Sequence, residues 1–360
     1  NLPYRFRPII AKRYSQIFKN ESRYSANISL LNYVDKVDKN PLVRNALIID
    51  DDGIVSKAQA IAKRIGIECQ NLEQALALAS VRLKNKYLPD PDGLEIDDYS
   101  MQRLGCQLWW RRALRKQQRR AIEETGRDLN LVNVNDGIYS TDETANRRKQ
   151  QRARNRAMLE EVKVVNELGD EFTLQELSDK SVSNPEIRRM ELMTRIAGFE
   201  KYAIDNDHVG EFWTVTCPSK YHSALSKNGR VNKKFQGLTP RDGQKYLAKT
   251  WARVRAKYAR EGIEVYGFRV AEPQHDGTPH WHLLLFMPQS QAKQAREIYR
   301  EYALKEDSSE RGAYQYRFDF KTMNSGGAAG YIAKYISKNI DGYGIEKDLF
   351  DNCAATSAER

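Results

Sequence analysis

The chain has 360 residues, a net charge of +11 from 59 Lys and Arg against 48 Asp and Glu, and a mean hydropathy of −0.72. That length suggests two or three domains; 11 Phe, 19 Tyr and 5 Trp exclude a disordered chain. No apolar run approaches the ~18 residues of a membrane span, the best being the strand-sized Leu283–Met287. The charge surplus favours a polyanionic partner, nucleic acid ahead of an anionic membrane. Cys69, Cys106, Cys217 and Cys353 are scattered without CxxC spacing, so neither a zinc ribbon nor a disulfide framework is indicated, and a reducing cytosol is expected. The chain opens on Asn1 with no signal peptide, which reads as a piece of a larger protein.

Residues 1–205 read as a basic, mostly helical region. Ala58–Ile65 and Leu72–Lys86 carry apolar residues at three- and four-residue spacing, and Pro89–Gly93 is turn chemistry. A further helix starts near Asp97, with Leu104, Leu108 and Trp109 on one side, and runs on into a basic tract to Arg120. Arg103–Arg156 holds 14 Lys or Arg against 6 Asp or Glu. Such a run is either a solvated helix face or an electrostatic track for a nucleic-acid backbone, with Arg111, Arg112, Arg115, Lys116, Arg119 and Arg120 as its contacts. Trp109 and Trp110 could stack on bases or simply tie the segment to a core.

From residue 206 the texture changes. Glu211–Cys217 is β-branched and aromatic and stops at Pro218, a strand. Thr239-Pro240 opens a long helix stopped by Gly262. Ile263–Ala271 and His280–Met287 are strands joined by a turn over Pro273–Pro279, with Asp276-Gly277 at its tip. Gln289–Ala303 is helical, Tyr314–Phe320 a strand and Gly326–Ile340 a last helix. The order β-α-β-β-α-β-α predicts an α+β fold: a ferredoxin-like antiparallel sheet with packed helices over 206–345, preceded by the helical region and followed by a tail over 346–360.

Two constellations carry chemistry. His280 and His282 stand at i and i+2 on a strand, so both imidazoles leave one face. Glu272, on the neighbouring strand of the same hairpin, is folded back towards them. Two imidazoles and a carboxylate suit a divalent cation, Mg²⁺ or Mn²⁺, although zinc is not excluded by ligand type. His275 in the turn is a poor ligand candidate; His208 and His222 lack a partner pattern and read as surface residues. On the last helix, Tyr331, Lys334, Tyr335 and Lys338 share one face, while Ile332, Ile336 and Ile340 form a separate stripe suited to packing on the sheet.

These residues resemble the HUH endonuclease superfamily and, within it, the bacteriophage replication gene A proteins. FWTVTCPSKYH (212–222) is similar to the family's first motif, RVAEPQHDGTPHWHLLLF (269–286) to its second and AAGYIAKYISKNID (328–341) to its third. Gln274 stands where the second motif often has a histidine, which weakens any case for a fourth histidine ligand.

The resemblance implies a tyrosine nucleophile, Tyr331 or Tyr335, that attacks a phosphodiester of single-stranded DNA at a replication origin. It leaves a 5′-phosphotyrosyl link and a free 3′-hydroxyl for rolling-circle replication. Lys338, or else Lys334, would assist; Glu272, His280 and His282 would hold the metal. The implied setting is the cytoplasm of a bacterial host, with a host helicase and polymerase as partners, since the chain has no GxxxxGK[ST] loop. A relaxase- or transposase-type HUH nuclease is the alternative enzyme, although relaxases place their tyrosines before the histidines. A non-catalytic origin-binding module is the other alternative.

Overall fold

The computed structural model describes residues 4, 6–38, 46–47, 49–82, 98–323, 330–332, 336 and 340. The chain divides into two compact units, Asn1–Leu129 and Asn130–Arg360. The boundary expected near residue 205 falls within the second.

The first unit is helical: α1 (Arg7–Asn20), α2 (Arg23–Asp38), α3 (Asp51–Glu68), α4 (Leu72–Arg82), α5 (Asp98–Gly105) and α6 (Gln107–Asp128). Asp50 caps α3, its side chain accepting the Gly53 N–H at 2.8 Å. Ile54, Ala58, Ile61 and Ile65 recur at helical spacing and pack with Ala75, Ala79, Leu104, Trp110 and Leu114 into one core. The helix expected to run unbroken from Asp97 to Arg120 is interrupted at Cys106, which is extended (φ −90°, ψ 115°). The interruption turns α6 so that Trp110 and Leu114 face this core, and Ala121 and Ile122 are buried further along the helix. Leu108, expected beside Leu104, is consequently exposed.

The second unit opens with α7 (Asp142–Glu161), a small hairpin of β1 (Lys163–Val165) and β2 (Glu171–Thr173), α8 (Leu174–Asp179) and α9 (Pro185–Asp205). The hairpin lies inside the region expected to be mostly helical; Gly169, at φ +88°, makes its turn. There follow β3 (His208–Val215), α10 (Pro240–Glu261), β4 (Tyr266–Pro273), β5 (Pro279–Pro288), α11 (Gln289–Ala303), α12 (Ala313–Tyr316) and β6 (Phe318–Thr322). Residues 330–332, 336 and 340 are helical. The molecule is thus α+β, with an antiparallel sheet in the order β4-β5-β3-β6.

Local chemistry sets these boundaries. Thr239 caps α10 in a reciprocal box with Asp242, Pro240 starts the helix, and Gly262 ends it in the left-handed region at φ +66°. The strand expected over Tyr314–Phe320 begins only at Phe318. Before it, Gly312 (φ +82°) starts the short helix α12, and the buried Arg317 guanidinium donates to the carbonyls of Ala303 and Glu306 and to the Glu310 carboxylate. The guanidinium ties the turn to the loop before it, and the backbone N–H groups of Tyr316 and Arg317 are spent on Gly312 O and Ala313 O, which keeps residues 313–316 a helical turn.

Each sheet face buries its own cluster. On one, Trp213, Val215, Trp281, Leu283, Leu285 and Met287 pack against Leu247, Val254 and Tyr258 of α10 and Ala295, Ile298 and Tyr299 of α11. On the other, Phe212, Leu284 and Phe286 pack against Ile196 and Ala203 of α9 and against Ile332 and Ile336, with Ile340 partly buried beside them. The isoleucine stripe therefore packs on the sheet.

Candidate functional site

The second face carries the chemistry. Strand alternation and register decide which side chains meet. Glu272 of β4 lies directly across from His280 of β5, and His282, two residues on, lies across from Thr214 of β3. The Glu272 carboxylate and both imidazoles thus leave the sheet together, while Trp281 between the histidines goes to the other face. There its indole donates to Gln244 Oε1 at 2.9 Å and lies under the Arg269 guanidinium.

The three candidate ligand atoms form a tight triangle. His280 Nε2 and His282 Nε2 are 2.8 Å apart, His282 Nε2 and Glu272 Oε2 2.9 Å, and His280 Nε2 and Glu272 Oε2 3.4 Å. Two donors in adjacent positions about 2.1 Å from an ion stand about 3 Å from each other, so the triangle fits a small divalent cation bound on one side. Glu272 and His282 are buried and His280 is nearly so. Among the described residues this is the one group of three or more His, Cys, Asp or Glu whose donor atoms converge in this way. Thr214 Oγ1 lies 3.1 Å from His282 Nδ1 and so fixes the ring with Nε2 towards the triangle.

Beside the triangle stands an aromatic chain that motif spacing alone does not reveal. Phe212 stacks on the His282 ring at 5.1 Å and meets the Tyr331 ring edge-on at 4.6 Å. Lys321 of β6, paired in register with Phe212, places its ammonium 5.9 Å from the Tyr331 ring centroid. Tyr331 is half-buried. Tyr335, Lys334 and Lys338 lie outside the described residues, as does the tail over 346–360. Strand register would have found Thr214, given the pairing of β3 with β5; Lys321 needed the corrected position of β6.

The turn of the metal-site hairpin is held from outside. Asp276, at the tip of the turn, is buried: its Oδ2 accepts the Ser223 N–H at 2.8 Å and its Oδ1 the Thr278 N–H at 3.0 Å. His222, expected on the surface, pairs its Nδ1 with Asp276 Oδ2 at 3.3 Å and is mostly buried. The Thr278 hydroxyl donates to Tyr221 O, His275 Nε2 lies 3.2 Å from Ala224 O, and the Tyr139 N–H donates to His275 O at 3.2 Å. His275 is thus spent on the turn. His208, likewise expected on the surface, is partly buried with its Nδ1 3.2 Å from the Tyr266 hydroxyl.

The basic residues of α6 belong to the first unit. Arg112, Lys116 and Arg119 are exposed; Arg111, Arg115 and Arg120 are half-buried, and Arg115 approaches Asp51 at 3.9 Å. Trp110 is fully buried, its indole donating to Leu104 O at 2.6 Å, and Trp109 packs edge-on against it. Of the two readings of this pair, the tie to a core describes Trp110; burial removes it from base stacking.

An antiparallel α+β sheet with a buried Glu-His-His triangle defines a class of candidate metal-site proteins. The comparisons with known proteins narrow it: residues 71–343 match the model of the bacteriophage replication gene A protein family, and the chain belongs to that family. It is 44% identical over 253 residues to the replication gene A protein of Escherichia phage P2, covering 67% of this chain and 33% of that one. It is 42% identical over 257 residues to the namesake protein of Escherichia phage 186, covering 70% of this chain and 37% of that one. It is 33% identical over 378 residues to a probable replication protein of Pseudoalteromonas phage PM2, covering 94% of this chain and 58% of that one. The chain therefore spans between a third and three fifths of the length of these relatives. No solved structure gives a significant match.

Proposed function

We propose that this chain is the nuclease part of a replication initiator, a metal-dependent endonuclease and strand transferase acting on single-stranded DNA at an origin. The observation that carries the reading is the contact chain Tyr331–Phe212–His282, which sets a tyrosine beside the Glu-His-His triangle on one sheet face. The order β3-α10-β4-β5-α11-β6, with β3 and β5 central, agrees with a ferredoxin-like HUH nuclease sheet. Several relatives are named probable replication endonucleases, among them one from a prophage-like region of Salmonella typhi.

Glu272, His280 and His282 would hold Mg²⁺ or Mn²⁺. When bound, the ion supplies Lewis-acid polarisation of a phosphate oxygen and neutralises charge on the transferring phosphoryl group. The Tyr331 or Tyr335 hydroxyl attacks phosphorus, losing its proton to solvent as the new O–P bond forms. The bond from phosphorus to the 3′ oxygen breaks, and that oxygen takes up a proton to become the free 3′-hydroxyl that a polymerase extends. The DNA 5′ end stays on the tyrosine as a phosphodiester, so rejoining needs no nucleotide cofactor. Lys338, or else Lys334, would assist at the phosphate or the phenolate, and Lys321 lies beside the Tyr331 ring. Unwinding and extension are left to a host helicase and polymerase in the bacterial cytoplasm. Among the described residues no helix is long and apolar enough to cross a membrane.

Incubation with single-stranded DNA carrying the cognate origin and Mn²⁺ tests the reading. It predicts a denaturation-resistant protein–DNA band that excess EDTA abolishes. Cleavage without any adduct would replace the tyrosine by water, and full activity in EDTA would remove the metal.

A further inference from the structure

Helix α7 has almost no hydrophobic reason to exist. Of its 20 residues only Ala145 is buried, and residues 148–158 are exposed without exception, so they cover every azimuth of the helix. A helix polar all round is stabilised by its own side-chain pairs or by something outside it. Its ion pairs with carboxylates of the same helix are at the two ends, Arg147 to Glu143 at 2.7 Å and Arg156 to Glu160 at 2.9 Å, and Gln151 bonds Asn155 between them at 2.6 Å. Between Glu143 and Glu160 the sequence has no carboxylate and six cations: Arg147, Arg148, Lys149, Arg152, Arg154 and Arg156. Arg148, Arg152 and Arg156 follow one another at i, i+4 and i+8, a like-charge stripe that works against an isolated helix.

The helix is also tied to the candidate site. Thr141 is its N-cap, and two residues earlier the Tyr139 N–H donates to His275 O in the turn of the metal-site hairpin. Tyr139 holds this position at φ +72°, an uncommon conformation for a side chain of its size. Asn130 and Asn135 brace the same segment through side-chain bonds to the carbonyls of Gly229 and Asn228. A self-repelling cationic rod about 30 Å long therefore starts from a braced segment bonded to the hairpin that carries Glu272, His280 and His282.

We propose that α7 is a nucleic-acid backbone surface, a row of phosphate contacts carried by Arg148, Arg152 and Arg156. It gathers single-stranded DNA irrespective of sequence next to the hairpin. The assignment rests on the proposed nuclease reading only for the identity of the polyanion. It places the electrostatic contacts on the second unit, on a helix distinct from the exposed cations of α6.

The test is equilibrium binding of the whole chain to a labelled random-sequence single strand between 50 and 200 mM salt, without added metal, so that catalysis plays no part. At about 0.7 in log–log slope per phosphate on a single strand, the triple variant Arg148→Gln, Arg152→Gln, Arg156→Gln should lower the salt slope by about two. Circular dichroism checks that the helix persists. The matching triple Arg-to-Lys variant keeps the charges and should keep the slope. An unchanged slope in the Gln variant overturns the assignment, as does an equal loss in the Lys variant, which would mean a structural role. A loss confined to Arg112→Gln, Lys116→Gln, Arg119→Gln on α6 also overturns it. So does wild-type binding to phosphatidylserine-containing vesicles but not to DNA. A wild-type chain that binds DNA through α7 yet neither cleaves it nor forms an adduct would end the nuclease reading and leave this one standing.

Discussion

At the scale of single residues, the site depends on how three donor atoms are held. His282 is fixed from both sides, by the Thr214 hydroxyl at Nδ1 and by the Phe212 ring on its face. A partner that orients a ligating histidine is worth about 10- to 100-fold in metal affinity. Thr214→Val should therefore weaken Mn²⁺ binding by that much in calorimetric titration, and His280→Ala or His282→Ala should abolish it. An unchanged affinity in Thr214→Val would mean that the sheet alone holds the ring.

Two buried tyrosines on the other sheet face make a contrast. The Tyr258 hydroxyl donates to Ala295 O at 2.7 Å, while the Tyr299 hydroxyl is buried without a hydrogen-bond partner. Tyr258→Phe should cost about 1 kcal/mol of unfolding free energy, and Tyr299→Phe should be neutral or stabilising. Burial pushes both hydroxyls well above the ordinary tyrosine value. The folded chain thus keeps protons that the unfolded chain loses above pH ~10. Stability is unaffected below that pH and falls as pH rises beyond it, by about 1.4 kcal/mol per pH unit for each such group. Urea melts from pH 9 to 11 should show the fall, with a shallower slope in Tyr258→Phe; an identical slope would contradict the assignment.

At the scale of elements, the β4–β5 hairpin is the unit that makes a site out of separate residues. Its turn is buried and bonded to residues 221–224 and to Tyr139. Gly277 sits at φ +78°, and a Cβ there would lie 2.7 Å from the Tyr139 carbonyl oxygen. Gly277→Ala combines an unfavourable backbone conformation with a backbone clash and should destabilise by about 2 kcal/mol. It should also lower Mn²⁺ affinity, because the strands that align Glu272 with His280 are joined there. A variant as stable as the parent, with unaltered metal binding, would show that the turn is a passive connection.

Much of this was legible in the sequence, and the exceptions have physical causes. Gln289–Ala303 is a helix as its periodicity demands, and the Thr239-Pro240 start and Gly262 stop of α10 stand where their capping chemistry puts them. Period-two alternation placed both histidines on one face, and hairpin folding brought Glu272 to them. The reading failed where long-range bonds overrule local pattern. Arg317 bonds back to Ala303, Glu306 and Glu310, all before the apolar run of Tyr314–Phe320, and the Cys106 break re-aims a helix whose periodicity is continuous. His222 reads as a surface residue because it is polar and locally isolated; its partner Asp276 is 54 residues away in the sequence.

For the whole molecule, the central claim is that one tyrosine-bearing helix and one metal-site hairpin act on the same phosphate. Locating the covalent link tests it most directly. The adduct formed with single-stranded origin DNA and Mn²⁺ should be digested with protease and nuclease and the modified peptide sequenced by mass spectrometry. A nucleotide phosphodiester is expected on Tyr331 or Tyr335, with adduct formation retained in part by Tyr331→Phe and by Tyr335→Phe and none from the double variant. A nucleotide on any other residue, or an adduct from the double variant, would contradict it.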